Sequence, residues 1–317
     1  GVSLDGRYVV FASTATNLVA DDANGTARDV FRKDTLTGRV VIASQSSTGV
    51  QPTGGVTGQP SISADGTRVA FASGAAPLVT ADSNDVADIY LADLRAATLV
   101  LASRTAAGVQ SPEAVQRPSL SADGRSVAFQ GTAAASVLAT GDSDGQADVY
   151  VARPQSRTIT LASLPSGGTD DGPSTLPSIS GDGSLVAFSS TAPLVSGTGD
   201  GGTSPDAFVR DLSAAQTRRA SSENITGGPR ISVNGTRVAF AGATPGGDAG
   251  DTNVADDVYV RTLATSALYR ASRIAGGNAP SQPSSRAAIS GSGALASFTN
   301  APTAITPTDV WTTDLGQ

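Results

Sequence analysis

Histidine, cysteine and methionine are all missing from this chain of 317 residues. Without thiols there are no disulfides, no thiolate nucleophiles and no cysteine-based zinc sites; without imidazole, every catalytic triad that uses it as base is excluded. The lack of cysteine also leaves the redox compartment unread. With no methionine, Gly1 is read as a processed or trimmed end, with a removed export signal as one origin. Lysine occurs once, at Lys33, and the net charge is −7. A phosphate-backbone partner needs clustered Lys and Arg, so a nucleic-acid ligand is not expected. No apolar stretch reaches the 18 or more residues of a membrane helix, and no basic-then-apolar leader is present, so no membrane span is expected. Glutamate is nearly absent too: Glu113 and Glu223 stand alone among 28 acidic residues, and the rest are aspartate. Aspartate's short arm suits turns and cation loops, which points to a loop-rich all-β chain.

What is present is a repeat. The phrase Ser-x-Asp-Gly, followed by a Val-Ala-Phe core (Val-Val-Phe in the first repeat), starts at Ser3, Ser63, Ser121 and Ser180, and returns in altered form at Ser232 and Ser290. A period of roughly 50 to 60 residues with several short strands per unit is that of propeller blades. The expected fold is a six-bladed β-propeller of four-stranded antiparallel blades, one domain over 1–317. The blades fall at about 1–55, 56–114, 115–174, 175–225, 226–280 and 281–317.

In blade two, residues 60–63 read as a short first strand opening on Pro60, and Ala64-Asp65-Gly66 as the turn. Residues 67–73, 88–93 and 98–103 read as the second, third and fourth strands. Third strands begin at Asp29, Asp88, Asp148, Asp206, Asp257 and Asp309, each with an aromatic two places on: Phe31, Tyr90, Tyr150, Phe208, Tyr259 and Trp311. Trp311 is thereby expected to be packing core rather than a sugar platform. Fourth strands are read at 39–44, 98–103, 158–163, 217–221 and 267–272. The sixth unit has none, so its edge at Asp309–Leu315 is expected to pair with a strand from elsewhere.

The stretch Pro-Ser-Ile-Ser-Ala-Asp-Gly-Thr-Arg-Val-Ala-Phe (60–71), with Asp-Ile-Tyr-Leu-Ala-Asp-Leu (88–94), resembles the repeat of TolB-like, WD-repeat-like bacterial β-propellers. The resemblance runs over essentially the whole chain. It implies a secreted or periplasmic protein-interaction module, or a non-catalytic propeller attached to a peptidase. Asn234 and Ser292 depart from it, standing where the turn aspartate is expected.

The most chemically suggestive feature is the loop between second and third strands. Blade three carries Asp142, Asp144 and Asp148, blade two Asp82, Asn84 and Asp88, blade five Asp251, Asn253 and Asp257, and blade one, one residue longer, Asp22, Asn24 and Asp29. Blade four has Gly202 between Asp200 and Asp206. Three oxygen-bearing side chains at this spacing can curl round calcium, which takes six to eight oxygens, and blade three fits best. The alternative is an Asx-turn at the middle residue, with the last aspartate capping the hairpin and no ion. That arrangement must tolerate clustered carboxylates at roughly a kcal/mol each where partly buried.

In an up-and-down blade these loops share a face with the polar connections at 45–59, 104–116, 164–176 and 273–282, where binding commonly sits. At the innermost strands, Ser61, Ser119, Ser178, Arg230 and Ala288 occupy one repeat position. Arg230, Arg117 and Arg286 are candidates for holding a carboxylate or sugar hydroxyl, or for neutralising nearby aspartates. The expected function is a non-enzymatic, secreted or periplasmic recognition propeller whose partner is a protein or a cell-surface glycan. A lectin is the alternative, disfavoured by 4% aromatic content. A polysaccharide-active enzyme ranks third, since the aspartates are already occupied by turns and loops.

Overall fold

A computed structural model describes residues 1–74, 78–132, 137–142, 144–168, 172–196, 204–221, 224–243, 255–273, 283–300 and 309–315. The chain divides into two compact units, Gly1–Ala162 and Ser163–Gln317. Both consist of antiparallel sheets in consecutive up-and-down order. The first unit holds β1 (Tyr8–Ser13), β2 (Asp29–Asp34) and β3 (Val40–Ile42), then β4 (Val56–Ile62), β5 (Arg68–Ser73), β6 (Asp88–Asp93) and β7 (Thr98–Leu101). Its last sheet is β8 (Gln116–Leu120), β9 (Val127–Gln130), β10 (Val149–Arg153) and β11 (Thr158–Leu161). The second unit holds β12 (Ser174–Ile179) to β15 (Gln216–Arg219), with β13 at Leu185–Ser190 and β14 at Asp206–Asp211. There follow β16 (Arg230–Ile231), β17 (Arg237–Ala243), β18 (Asp256–Thr262) and β19 (Leu268–Arg270), and finally β20 (Ser284–Ile289), β21 (Leu295–Asn300) and β22 (Asp309–Asp314).

The Ser-x-Asp-Gly turn explains its own recurrence. In blade two the Ser63 hydroxyl donates to Asp65 Oδ1 (2.6 Å) and accepts the Arg68 N–H (3.0 Å), while the Thr67 N–H donates to the same carboxylate oxygen (3.0 Å). The pattern returns at Ser3 and Asp5, at Ser121 and Asp123, and at Ser180 and Asp182. Asn234 replaces the aspartate without loss, because its Oδ1 accepts the same Thr236 N–H. The turn glycine is required for two reasons: Gly66 has φ +69°, and a Cβ there would lie 2.1 Å from the Tyr8 ring of the preceding blade.

Backbone bonds join successive turns, Leu4 N–H to Ala64 O and Ala64 N–H to Ala122 O at 2.9 Å each. In the second unit Gly181 N–H donates to Val233 O (2.7 Å) and Asn234 N–H to Gly291 O (3.0 Å). Arg32, Arg68 and Arg237 each reach the carbonyl of the next blade's turn glycine, at Gly66, Gly124 and Gly293. Arg32, Arg68 and Arg237 therefore lock blade to blade.

The core is built by the repeated Phe and the third-strand aromatic, directly opposite each other across the second and third strands. Phe11–Phe31, Phe71–Tyr90, Phe129–Tyr150, Phe188–Phe208 and Phe240–Tyr259 stack with centroids 5.6–6.2 Å apart. The third-strand rings are buried in each case, as expected of a core position. Trp311 holds the same register, opposite Phe298, but its side chain is outside the described residues.

The inner strands begin earlier than the sequence suggests. Pro60 is inside β4 rather than at its start, because the register shifts between Thr57 and Ser61. A bulge lets the strand pass a residue that has no N–H to donate. Its positive-φ residue is Gly58 in blade two and Leu176 in blade four. The sixth sheet has three strands in the order β20-β21-β22, which leaves β22 as the last strand of that sheet among the described residues.

Candidate functional site

Each aspartate that opens a third strand is expected to cap a hairpin or to complete a cation loop. The structure places it in the blade interior. Asp29, Asp88, Asp148 and Asp257 are 0% exposed and Asp206 is 5%. In blades one, two, four and five the partner is the serine that follows the fourth strand, a residue the sequence reading treated only as a strand end. Ser44 Oγ donates to Asp29 Oδ1 (2.7 Å) and accepts the Val30 N–H (2.9 Å). Ser103 makes the same bonds to Asp88 and Ile89, Ser221 to Asp206 and Ala207, and Ser272 to Asp257 and Val258. The signal was in plain sight: fourth strands end in Ala-Ser at 43–44, 102–103, 162–163, 220–221 and 271–272.

That serine satisfies one carboxylate oxygen. In blades one and two the other, Asp29 Oδ2 and Asp88 Oδ2, is buried and makes no hydrogen bond; Asp257 Oδ2 in blade five makes none either but has the Arg270 guanidinium 3.8 Å away. Burial pushes the Asp29 carboxyl up; Ser44 and the nearby Asn24 offset part of this, and the charge of Asp22 adds to it. In Asp88 burial dominates again, against Ser103 and Asn84 and with Asp82, and the carboxyl is pushed up to about 6. A rise of that size disfavours the ionised form by on the order of 3 kcal/mol.

The remaining loop residues converge on these oxygens. In blade one Asp22 Oδ1 and Asn24 Oδ1 are also buried without a hydrogen-bond partner. The Asn24 amide donates to Pro52 O (2.9 Å). Gln51, itself buried, accepts the Ala23 N–H at 2.9 Å and donates to Asp21 O, clamping the loop from the connection to the next blade. Blade two repeats the device: Asn84 donates to Ser111 O (2.8 Å), and Gln110 takes the Ser83 N–H and gives to Ala81 O. In blade three Asp142, Asp144 and Asp148 bring one carboxylate oxygen each within 4.8 Å of one another. Burial pushes Asp142 up there, against the Tyr150 hydrogen bond and together with the charge of Asp144.

The Asx-turn alternative is present alongside the cradle. Asp144 Oδ1 accepts the Gln146 N–H (2.8 Å), and Asn84 Oδ1 the Val86 N–H (3.4 Å). The two arrangements are compatible, because a carbonyl or carboxylate oxygen has more than one lone pair. The first aspartate is tied to the core where the third-strand aromatic carries a hydroxyl: Tyr90 donates to Asp82 and Tyr150 to Asp142. Blade one has Phe31 there.

Asp251 and Asn253, along with Asp200 and Gly202, lie outside the described residues. Arg117 belongs to the first unit, and Arg230 and Arg286 to the second; all three are exposed. Arg117 and Arg286 sit at the bulge position of the inner strands, with φ +57° and +53°. Of the inner-strand serines, Ser61 Oγ accepts the Leu120 N–H (2.9 Å) and Ser178 Oγ that of Ile231 (3.1 Å), so they join neighbouring blades. A cleft of about 270 Å³ lined by Arg32, Arg39, Asp93 and Thr98 among others includes none of the expected cation ligands.

No protein-family model matches the chain, and no curated protein sequence matches it. Solved structures do. The chain is similar to a TolB candidate from Agrobacterium tumefaciens (TM-score 0.53, 16% identity, covering 85% of this chain and 78% of that one). It is similar to the β-propeller domain of the Trilobed protease from Pyrococcus furiosus (0.58, 12%, 98% and 82%). It is also similar to an oligogalacturonate lyase from Vibrio parahaemolyticus (0.54, 11%, 100% and 88%). At these identities the likeness is one of fold: the chain is all-β, its six antiparallel sheets are propeller blades, and the resemblance to TolB-like propellers holds at that level.

The same comparison corrects the functional expectation. A non-enzymatic recognition role was inferred from missing imidazole and thiol, yet the similar structures include a protease propeller and a lyase. The fold is shared by enzymes, and the absence of two side-chain types does not remove the chain from their company. No helix among the described residues is long and apolar enough to cross a membrane.

Proposed function

We propose that the chain is a divalent-cation-binding propeller module whose loops between second and third strands in blades one, two and three take calcium. The reading rests on one observation: fully buried Asp29 and Asp88 each aim an oxygen without a hydrogen bond into a loop bearing further side-chain oxygens. Burying a carboxylate oxygen without a partner is expensive, and a hard cation is the ligand that oxygen donors of this kind recruit. All donors in the three loops are oxygens, which suits calcium and not a thiophilic metal. Asp22, Asn24 and Asp29 would hold it in blade one, Asp82, Asn84 and Asp88 in blade two, and Asp142, Asp144 and Asp148 in blade three, with backbone carbonyls and water completing the shell.

Such loops, clamped by Gln51 and Gln110 to the connections between blades, make the ion a brace for a surface that docks a protein or an adjoining catalytic domain. The protease propeller among the similar structures supports that role. Extracellular cation modules work at 10⁻⁴–10⁻³ M calcium, so the reading favours a secreted or periplasmic setting.

Calcium titrated into chelator-stripped protein by isothermal calorimetry tests it. Saturable binding with a melting point several degrees above that of the stripped protein is expected. No heat of binding together with an unchanged melting point would overturn the reading.

A further inference from the structure

Blades four and five meet the same buried aspartate in a different way. Two residues before the serine that ends each fourth strand, directly opposite the third-strand aromatic, stand Ile42, Leu101 and Leu161 in the first unit but Arg219 and Arg270 in the second. Residues two apart on a strand share a face, so this side chain lies on the aspartate's side of the sheet. Arg219 donates to Asp206 Oδ2 at 2.7 Å. Arg270 Nη1 lies 3.8 Å from Asp257 Oδ2, with both side chains essentially buried. In both blades the first carboxylate oxygen remains on its serine, Ser221 or Ser272.

We infer that Arg219 and Arg270 are built-in counter-ions that occupy, in blades four and five, the electrostatic position calcium takes in blades one to three. Cation dependence is then confined to the first unit. The inference rests on the cation reading above and sharpens it, since it names the residue that decides which blades bind. A planar, permanently charged guanidinium can supply the counter-charge, through a hydrogen bond at Asp206 and, at Asp257, whose Oδ2 makes no hydrogen bond, as an ion pair at 3.8 Å. An isoleucine or leucine cannot, and the charge must come from solution. The loops agree at blade four, where Gly202 stands between Asp200 and Asp206 in the sequence. Blade five is the discriminating case, because its sequence keeps Asp251 and Asn253. If loop aspartates alone decided binding, blade five would take an ion; if the fourth-strand arginine decides, it takes none.

Hydrogen exchange with and without chelator on the wild-type chain, read by peptide, locates the dependence without any variant. Chelator is expected to raise exchange around residues 20–30, 80–90 and 140–150, and to leave 204–210 and 255–260 unchanged. Native mass spectrometry should count three calcium ions. Leu101→Arg should lower the count to two, and Arg270→Leu, which restores the residue found in blades two and three, should raise it to four. Four ions on the wild type, or chelator-induced exchange at 255–260, would overturn the inference and leave the cation reading standing. Zero ions on the wild type would remove the cation reading, and the inference with it. If either variant does not fold, the wild-type exchange map and ion count still decide.

Discussion

The two units confront the same buried carboxylate with different resources, and the contrast separates what a blade needs from what it borrows. In both, the aspartate that opens the third strand is fixed by a serine from the fourth. In the second unit an arginine of the same blade stands beside its remaining oxygen, hydrogen-bonded at Asp206 and at ion-pair distance, 3.8 Å, at Asp257. In the first, the corresponding oxygens of Asp29 and Asp88 are buried and make no hydrogen bond. On the proposed cation reading, a blade carries its positive charge covalently or takes it from solution. Only the second choice makes stability responsive to the medium.

The sharpest way to break the contrast is to remove a built-in charge. Arg219→Leu leaves Asp206 buried without its counter-charge, and stripping one partner from such a pair costs about 3–5 kcal/mol; a large fall in the urea midpoint that added calcium does not reverse is expected. Ser103→Ala and Ser221→Ala come next, because the serine is common to both halves. Each should cost about 1–3 kcal/mol for the stranded buried acceptor, by similar amounts in the two units. Tyr90→Phe should be milder, about 1 kcal/mol by thermal melting, since blade one already works with Phe31 opposite Ile42.

The smallest effect is the shared one, acid sensitivity of the turn carboxylates. Arg7 holds Asp34 below its ordinary range, and hydrogen bonds from Ser180 and Ser213 do the same for Asp182 and Asp211. A carboxyl whose folded pKa is lowered contributes stability that is fully present above the unfolded value near 4, and this is lost as pH falls through the folded one. Asp182 and Asp211 are exposed enough for solvent to screen most of it, whereas the Asp34 side chain is only 11% exposed. A shallow decline in melting point below about pH 4, equal with and without calcium, is expected.

The blades, their strand order and the role of the turn aspartates were all legible in the sequence, because repetition exposes register: Phe71 and Tyr90 were recognisable as core from their counterparts alone. The start of the inner strands was not, since Pro60 reads as a terminus unless the bulge at Gly58 is known. The loop residues of blades one to three stood out in the sequence by their spacing, and in blade three Asp142, Asp144 and Asp148 bring one oxygen each within 4.8 Å of one another. What composition could not show is that Asp88 is wholly buried or that Ser103 is its partner. Those two are fifteen residues apart, and only the pairing of the third and fourth strands brings them together. Arg219 and Arg270 were passed over because each sits in an ordinary strand position, where its significance depends on what lies across the sheet.

The turn-to-turn bonds carry a consequence for how such a chain comes apart. Ala64 donates its N–H to the third blade's Ala122 and receives that of Leu4 from the first. One residue thus couples three repeats through main-chain atoms that no side-chain substitution can remove, proline excepted. Such nearest-neighbour coupling makes an array melt as a connected run rather than repeat by repeat. Loosening of one blade in the first unit should therefore propagate to the blade beside it as lost amide protection before its own core contacts are disturbed.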